Sequence, residues 1–218
     1  MTTPPSLRVG SASCRCRLPF HDARLVAVTG GPGAGKTAVL ELAARSLCEH
    51  VAILLEAATI VFGGGFPRHQ TKPGLRAAQR AIYRVQREVE TLVIEERQVA
   101  VALCDRGTVD GLAYWPDPVD TFWEEIGSNL QAELSRYHAV IHLRTPSPDQ
   151  GYHTDPIRNE PAEQAAELDR RIAAVWKDHP HRFLVEAKTD FTAKASHALE
   201  LIRNQMPACC TGPSGLAK

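Results

Sequence analysis

The chain has 218 residues, of which 44% are hydrophobic and 23% charged, and its 25 basic residues balance its 25 acidic ones. This composition is typical of one globular domain with its own core, and the zero net charge gives no reason to expect a nucleic-acid or membrane partner. The sequence has no apolar run of the roughly 18 residues that a membrane-spanning helix needs. The first 22 residues lack the apolar segment of a secretory signal. We therefore expect a cytoplasmic protein.

The six cysteines do not follow a metal-binding pattern. Cys48 and Cys104 have apolar neighbours, which is typical of small buried side chains. The Cys14-x-Cys16 and Cys209-Cys210 pairs lie within residues 1–22 and 205–218, which we predict to be tails. They have neither C-x-x-C spacing nor a histidine cluster, so we expect no zinc site. A reducing cytoplasm would keep these thiols free.

Short apolar runs alternate with helical patterns after an aperiodic, Pro/Ser/Arg-rich segment at residues 1–22, for which we expect disorder. The apolar runs are typical of strands buried on both faces of a parallel sheet. The intervening segments carry apolar residues at helical spacing. The predicted strands cover residues 24–29, 51–58, 99–105, 138–144 and 182–187. The predicted helices cover residues 35–49, 75–97, 117–135, 162–177 and 191–203.

This alternation predicts an α/β fold with three layers and a five-stranded parallel sheet. We expect a single domain over residues 23–204 and a flexible tail over 205–218. No internal repeat or linker divides it.

The segment TGGPGAGKT, residues 29–37, places four glycines and a lysine directly after the first strand and before the first helix. Glycines let successive backbone N–H groups point inward as an anion nest, and the helix that follows adds its positive end. The pattern is that of a phosphate-binding loop, in which the lysine reaches the β/γ-phosphates and the threonine hydroxyl binds Mg²⁺. The predicted nucleotide-binding residues are Gly30, Gly31, Pro32, Gly33, Ala34, Gly35, Lys36, Thr37 and Ala38.

Charged residues also lie at the ends of two other strands of the predicted sheet. Asp105 ends the third strand and Arg106 comes next, so both should lie beside the phosphate loop, where Asp105 could hold Mg²⁺ together with Thr37. The alternative is that the pair only caps the loop. Glu56 ends the second strand and could take a proton from an acceptor hydroxyl, with Asp105 as the competing base. Glu56 could instead be a loop or capping glutamate.

Three other segments are candidates for substrate contacts. Arg158 lies in the polar excursion at residues 149–171 and could close over the phosphates as part of a helical lid. The alternative there is a solvated helix with ion pairs between Glu167 and the arginines that follow it. The loop at residues 66–74 and the aromatics Tyr114 and Trp115 could contact an acceptor, although a solvated loop and local core packing explain them equally or better.

The motifs GGPGAGKT, EAA, CDRGTVDGLAYW and YHTDPIRNE together resemble the AAA-type NTPase and kinase group related to the ribosylnicotinamide kinase domain of the bacterial NAD regulator. The resemblance spans about residues 24–203, and deoxynucleoside and thymidylate kinases are more distant relatives. It implies that Lys36 and Thr37 bind nucleotide and Mg²⁺, that Asp105 is the metal-side acid, and that Arg158 is a lid arginine. The AKTD stretch at residues 187–190 matches a guanine-reading N-K-x-D loop except at its first position.

Two functions fit these features. The first is an ATP-dependent kinase with Mg²⁺, Lys36 and Arg158 on the phosphates and Glu56 or Asp105 on the acceptor, a nucleoside-like or other small hydroxyl compound. Arg106 could contact either the phosphates or the bound substrate. The second is a regulatory NTPase that hydrolyses ATP or GTP slowly and acts through protein partners. Glu56 and the lid arginine favour the kinase. The sequence does not name the acceptor, decide between ATP and GTP, or distinguish a monomer from a homodimer.

Overall fold

A computed structural model describes residues 7–146, 162–187 and 190–211. The strands are β1 Leu7–Val9, β2 Arg24–Thr29, β3 Val51–Leu54, β4 Val101–Asp105, β5 Tyr137–Leu143 and β6 Arg182–Val185. The helices are α1 Lys36–Ser46, α2 Ala57–Gly63, α3 Lys72–Glu96, α4 Val119–Ile126, α5 Leu130–Leu134, α6 Ala162–Val175 and α7 Phe191–Arg203. Short 3₁₀ helices occupy Thr108–Tyr114 and Ala208–Cys210.

The strands form one sheet in the order β1-β3-β4-β2-β5-β6. The five strands from β2 to β6 are parallel, as predicted, and β2 lies between β4 and β5. Val28 of β2 is aligned with Asp105 of β4 and with Ile141 of β5. The segments that follow β2, β3 and β4 therefore leave the sheet at the same edge, next to one another.

The alternating residues of the strands face two separate cores, which is why the strands read as continuous apolar runs. One face packs on α1 and α7, through side chains such as Val39 and Ile202. The other face packs on α3 to α6, through side chains such as Phe122 and Trp176. This is the predicted three-layer α/β architecture.

The prediction of disorder at residues 1–22 is wrong for the described part of that segment, and the sheet has six strands instead of five. β1 pairs antiparallel with β3, and the Gly10 amide donates to the Val51 carbonyl at 2.8 Å. Gly10 lies so close to the turn between α1 and β3 that a Cβ atom at Gly10 would be 2.1 Å from the Cys48 carbonyl oxygen. Backbone hydrogen bonds hold this edge strand in place. Its three residues are too few to show the side-chain periodicity by which a strand is recognised in a sequence.

Other boundaries also differ from the predictions. The second predicted strand ends at Leu54, and the last two residues assigned to it, Ala57 and Ala58, begin α2 instead. The predicted helix at residues 117–135 is two helices, α4 and α5, because Gly127 takes a left-handed conformation with φ of 70° and ends the first of them. The chain beyond residue 205 is not all tail, since Gln205 is buried and the Ala208–Cys210 turn follows it. Among the described residues, no helix is both long and apolar enough to cross a bilayer.

Candidate active site

The phosphate loop connects β2 to α1 through three glycines with left-handed backbone angles. Gly30, Gly33 and Gly35 have φ values of 135°, 72° and 89°, which side-chain-bearing residues rarely adopt. Gly35 is the N-cap of α1, so the positive end of that helix faces the loop. A Cβ atom at Gly30 would lie 2.0 Å from the Leu143 carbonyl oxygen. The loop conformation thus requires the glycines of the motif.

Lys36 lies across the loop. Its Nζ atom donates to the carbonyl oxygens of Gly30 and Gly31, at 2.9 and 3.0 Å. Burial and the nearby charge of Arg106 lower the pKa of Lys36 to about 7, while the charge of Asp105 opposes the change. The ammonium group is therefore poorly compensated by this site, and an anion bound in the loop would stabilise its charged form.

Asp105 ends β4 beside the phosphate loop, as predicted. Its Oδ1 atom is buried and has no hydrogen-bond partner among the described residues. Burial raises the pKa of Asp105, although the charges of Lys36 and Arg106 oppose this. An orphaned carboxylate oxygen next to a phosphate loop is a hard donor suited to Mg²⁺. Thr37, the other predicted metal ligand, is exposed at the first turn of α1.

Glu56 and Arg106 form an ion pair beside Asp105. Arg106 donates from Nε to Glu56 Oε1 at 2.6 Å and from a terminal nitrogen to the Gly30 carbonyl at 3.3 Å. Arg106 has a left-handed φ of 75°, which is uncommon for a residue with a side chain. Burial would raise the pKa of Glu56, but Arg106 and Lys36 lower it overall. Glu56 is thus ionised at neutral pH and held in a fixed orientation.

Asp110 is a site residue that the sequence analysis did not assign. It is 2% exposed, and its carboxylate accepts from the Thr29 hydroxyl at 2.6 Å and from the Trp176 indole at 2.5 Å. It also lies 3.8 Å from a terminal nitrogen of Arg106. Asp110 therefore ties the end of β2 to the Thr108–Tyr114 turn and to the residue after α6. The DGLAYW stretch already contained this acid, four residues after Arg106.

Asp169 of α6 anchors the phosphate loop from the other side. It accepts from the Gly31 amide at 3.0 Å, is 2.9 Å from His142 Nε2, and forms an ion pair with Arg144 at 3.1 Å. Asp169 is 2% exposed, and although burial raises its pKa, these contacts lower it overall. The partners of Asp169 lie 25 to 138 residues away in the sequence, so no local pattern indicated its role.

Lys194 of α7 supports the other end of the loop. Its Nζ atom donates to the Ala34 carbonyl at 2.9 Å and to the Arg144 carbonyl at 2.6 Å. Burial lowers the pKa of Lys194 to about 8, and Asp169 and Glu186 partly offset this. Its place within the predicted helix at residues 191–203 gave no sign of this role. The phosphate loop is thus held at one end by an acid from α6 and at the other by a lysine from α7.

A cleft of about 530 Å³ extends from the phosphate loop along α2 and α3. Its walls include the loop, the Glu56–Arg106 pair, Asp105 and Asp110. The far wall is formed by Arg68–Gln70 and by residues of α3 such as Gln79 and Gln86. The cleft is therefore longer than a phosphate site alone and continues past the acids toward the loop at residues 66–74.

The remaining predicted residues have different outcomes. Arg158 and most of the segment predicted as a lid lie outside the described residues, whereas α6 packs against the sheet with Ala165 and Ile172 buried. Trp115 is core, at 4% exposure, whereas Tyr114 lines the cleft. Glu167 and Arg170 form the surface ion pair that was the alternative to a lid role, at 2.6 Å. Of the AKTD stretch, Lys188 and Thr189 lie outside the described residues.

The family model for the AAA domain matches residues 25–194. The chain belongs to this family. A search of curated proteins finds no match. Among solved structures, the AAA-family chain is similar to the crystal structure of NadR protein in complex with NR, with a TM-score of 0.62 and 16% identity. The match covers 89% of this chain and 54% of the NadR chain, so the chain spans about half the length of that protein.

At this identity, the likeness to NadR shows the fold alone. The family model and this fold confirm the resemblance inferred from the motifs. The AAA family and the geometry of the phosphate loop both indicate nucleotide binding.

Proposed function

We propose that the protein is an ATP-dependent phosphotransferase that uses Mg²⁺ and phosphorylates a hydroxyl of a nucleoside-like or other small metabolite. The observation that carries the proposal is the cleft, which passes from the phosphate loop along Glu56 and Arg106 to Arg68–Gln70. A site of this shape has room for a nucleotide phosphate at one end and a second small molecule at the other.

On the donor side, the phosphate loop and Lys36 would bind the β- and γ-phosphates of ATP, with GTP as the other possible donor. The orphaned oxygen of Asp105 and the hydroxyl of Thr37 fit Mg²⁺, because both are hard oxygen donors at the loop. The bound ion would neutralise charge on the phosphates. Arg158 keeps its proposed role as a lid arginine from the segment outside the described residues.

On the acceptor side, Glu56 and Arg106 would orient the substrate. Glu56 is held ionised, so it can accept a hydrogen bond from the acceptor hydroxyl and align its oxygen for attack. Burial raises the pKa of Asp105, which makes it a stronger base than an ordinary aspartate, but its position at the loop suits the metal side. Phosphoryl transfer needs positioning and charge stabilisation more than proton removal, so a weakly basic Glu56 is adequate.

The alternative is a regulatory NTPase that acts through a protein partner. Such a switch needs a phosphate site and mobile loops, but it does not need an acceptor wall beyond the phosphates. The extension of the cleft toward Arg68–Gln70, with the fixed Glu56 carboxylate along it, favours the kinase.

The test is to measure release of ADP from MgATP, and of GDP from MgGTP, with and without a pool of nucleosides and small hydroxylated metabolites. Lys36→Ala is the blank. We expect the pool to raise turnover many-fold, and Glu56→Gln to remove most of the increase without weakening nucleotide binding. Slow turnover whatever is added, with nucleotide still bound tightly, would contradict the proposal and favour the regulatory NTPase.

A further inference from the structure

Five of the six cysteines and two histidines gather at the edge of the sheet opposite the phosphate loop. They come from three segments: the residues before β2, the turn between α1 and β3, and the turn after α7. The group, which we call the thiol cluster, consists of Cys14, Cys16, His21, Cys48, His50, Cys209 and Cys210. It takes no part in the nucleotide site described above.

Two sets of four donors in the thiol cluster could each surround one ion. In the first set, the ligand atoms of Cys14, Cys48, His50 and Cys210 lie within 4.8 Å of one another. The second set consists of Cys16, His21, His50 and Cys210, and its ligand atoms also lie within 4.8 Å of one another. Because the sets share His50 and Cys210, they are alternatives for a single site.

The measured separations suit a tetrahedral zinc site. Bonds of about 2.3 Å to sulfur and 2.0 Å to nitrogen place neighbouring ligand atoms roughly 3.5 to 3.8 Å apart. Cys210 Sγ lies 3.7 Å from His50 Nδ1, and Cys16 Sγ lies 3.4 Å from His21 Nε2. The site therefore needs only small side-chain adjustments to close around an ion.

The thiol cluster contains donor atoms that are shielded from solvent. The Nδ1 atom of His21 is buried without a hydrogen-bond partner among the described residues. Cys48 is only 8% exposed. A divalent cation would give such donors a partner, since zinc binds cysteine as the thiolate.

We propose that Cys14, Cys48, His50 and Cys210 bind one structural Zn²⁺ ion. Three thiolates and one imidazole are a common set for structural zinc, whereas iron–sulfur clusters are usually held by four thiolates. We choose the first set because Cys48 belongs to the buried core against which Cys14 and Cys210 both pack, so the three sulfur atoms of this set form one continuous group. Binding is balanced as one Zn²⁺ in and three thiol protons out.

The bound ion would join the two ends of the folded chain. Cys14 precedes β2 and Cys210 follows α7, while Cys48 and His50 lie in the turn between α1 and β3. The same region holds the Arg24 guanidinium, which donates to the Gln205 carbonyl at 3.0 Å. The ion thus stabilises segments that have little hydrophobic core of their own.

The experiment uses the full chain, purified under reducing conditions without a polyhistidine tag, and measures metal content by mass spectrometry. We expect one zinc per chain, and replacement by Co²⁺ should give the absorption of a tetrahedral thiolate site. Cys14→Ser and Cys210→Ser should lose the metal. Their matched controls, Cys16→Ser and Cys209→Ser, change a neighbouring thiol and should keep it.

Nucleotide binding shows whether each variant is folded, because the phosphate loop lies at the other edge of the sheet. For folded protein, removing zinc with a chelator should lower Tm by about 5 °C or more, and added Zn²⁺ should restore it. Protein without stoichiometric zinc that does not take it up, whether its thiols are free or joined in disulfides, would overturn the proposal. Loss of metal in Cys16→Ser but not in Cys14→Ser would overturn the proposed ligand set.

Discussion

The two edges of the sheet carry polar sites that are built in different ways. At one edge, nine consecutive residues carry the phosphate-loop motif, and three of its four glycines have left-handed backbone angles. At the other edge, three segments from distant parts of the chain bring seven cysteine and histidine side chains together. The first site depends on backbone shape and can be recognised from a short motif. The second depends on tertiary contacts, so its members become visible as a group only in the folded chain.

We therefore expect substitutions at the two edges to affect different properties of the protein. Substitutions of the residues proposed to contact the nucleotide should alter nucleotide binding and turnover with modest effects on stability. Substitutions at the thiol edge should do the reverse.

The largest effect is expected for Lys36→Ala. This change removes the positive charge that the loop places at the β- and γ-phosphates, and turnover should fall by about 10²- to 10³-fold. Tm should stay the same or rise, because the change removes a buried charge with few compensating partners. Steady-state kinetics would measure the turnover, and a thermal melt would measure Tm. Turnover within a few-fold of wild type would mean that the loop does not carry the chemistry.

Asp105→Asn should come next. It keeps the shape of the side chain but removes the charge proposed to hold Mg²⁺, so turnover should drop by about 10²-fold and respond less to Mg²⁺ concentration. Stability should not fall, since the Asp105 Oδ1 atom has no partner to lose among the described residues. An unchanged Mg²⁺ dependence, measured from turnover against the ion concentration, would place the metal elsewhere.

Asp169→Ala should affect both stability and nucleotide binding. It removes the acceptor for the Gly31 amide and leaves His142 and Arg144 without their carboxylate, which should cost about 2–4 kcal/mol of unfolding free energy. The KM for nucleotide should rise as the loop loses its anchor. Chemical denaturation and kinetics would test this. The control is Glu167→Ala on the same helix, an exposed position at which we expect a change of less than about 0.5 kcal/mol.

A smaller effect is expected when pH is raised. Since the pKa of Lys36 is about 7 and a bound phosphate would raise it, nucleotide binding should take up a proton above neutral pH. Affinity should therefore weaken between pH 7.5 and 9, by at most about tenfold per pH unit, while nucleotide phosphates with a second pKa of about 6 stay ionised. Calorimetry in buffers of different ionisation enthalpy would count the proton. Lys36→Arg, which stays charged, should lose this dependence.

The smallest effect on activity is expected for Cys14→Ser. If the edges are independent, this change should leave turnover within about twofold of wild type, because distant sites contribute almost additively. The same protein should show a lower Tm than Cys16→Ser, its matched control. A large loss of turnover in Cys14→Ser, with normal nucleotide binding, would show that the thiol edge acts on the active site.

The parts of the fold that the sequence predicted are those with strong local signals. β2 and α7 have the predicted bounds, the glycines of the motif lie in the turn between β2 and α1, and Lys36 begins α1. β1 was missed because its stability comes from pairing with β3, and the break between α4 and α5 because one glycine in a helical pattern does not reveal its backbone angle. Local sequence patterns therefore predict the helices and strands whose bounds do not depend on contacts with distant parts of the chain.

The candidate site shows the same limit. Glu56, Asp105 and Arg106 follow apolar runs, so their shared edge could be inferred from the logic of a parallel sheet. Asp169 and Lys194 hold the phosphate loop from α6 and α7, and their partners are too far away in the sequence to give a pattern. The low pKa of Glu56 depends on the side-chain position of Arg106, which only the folded structure gives.

The most direct test of the central claim is to look for the phosphorylated product itself. The protein would be incubated with MgATP whose γ-phosphate carries ¹⁸O, together with the pool of nucleosides and small hydroxylated metabolites, and the mixture examined by mass spectrometry. We predict an acceptor that carries a labelled phosphoryl group in the wild-type reaction and not with Lys36→Ala. Label found only in inorganic phosphate, whichever acceptor is supplied, would contradict the account and identify the protein as a hydrolase.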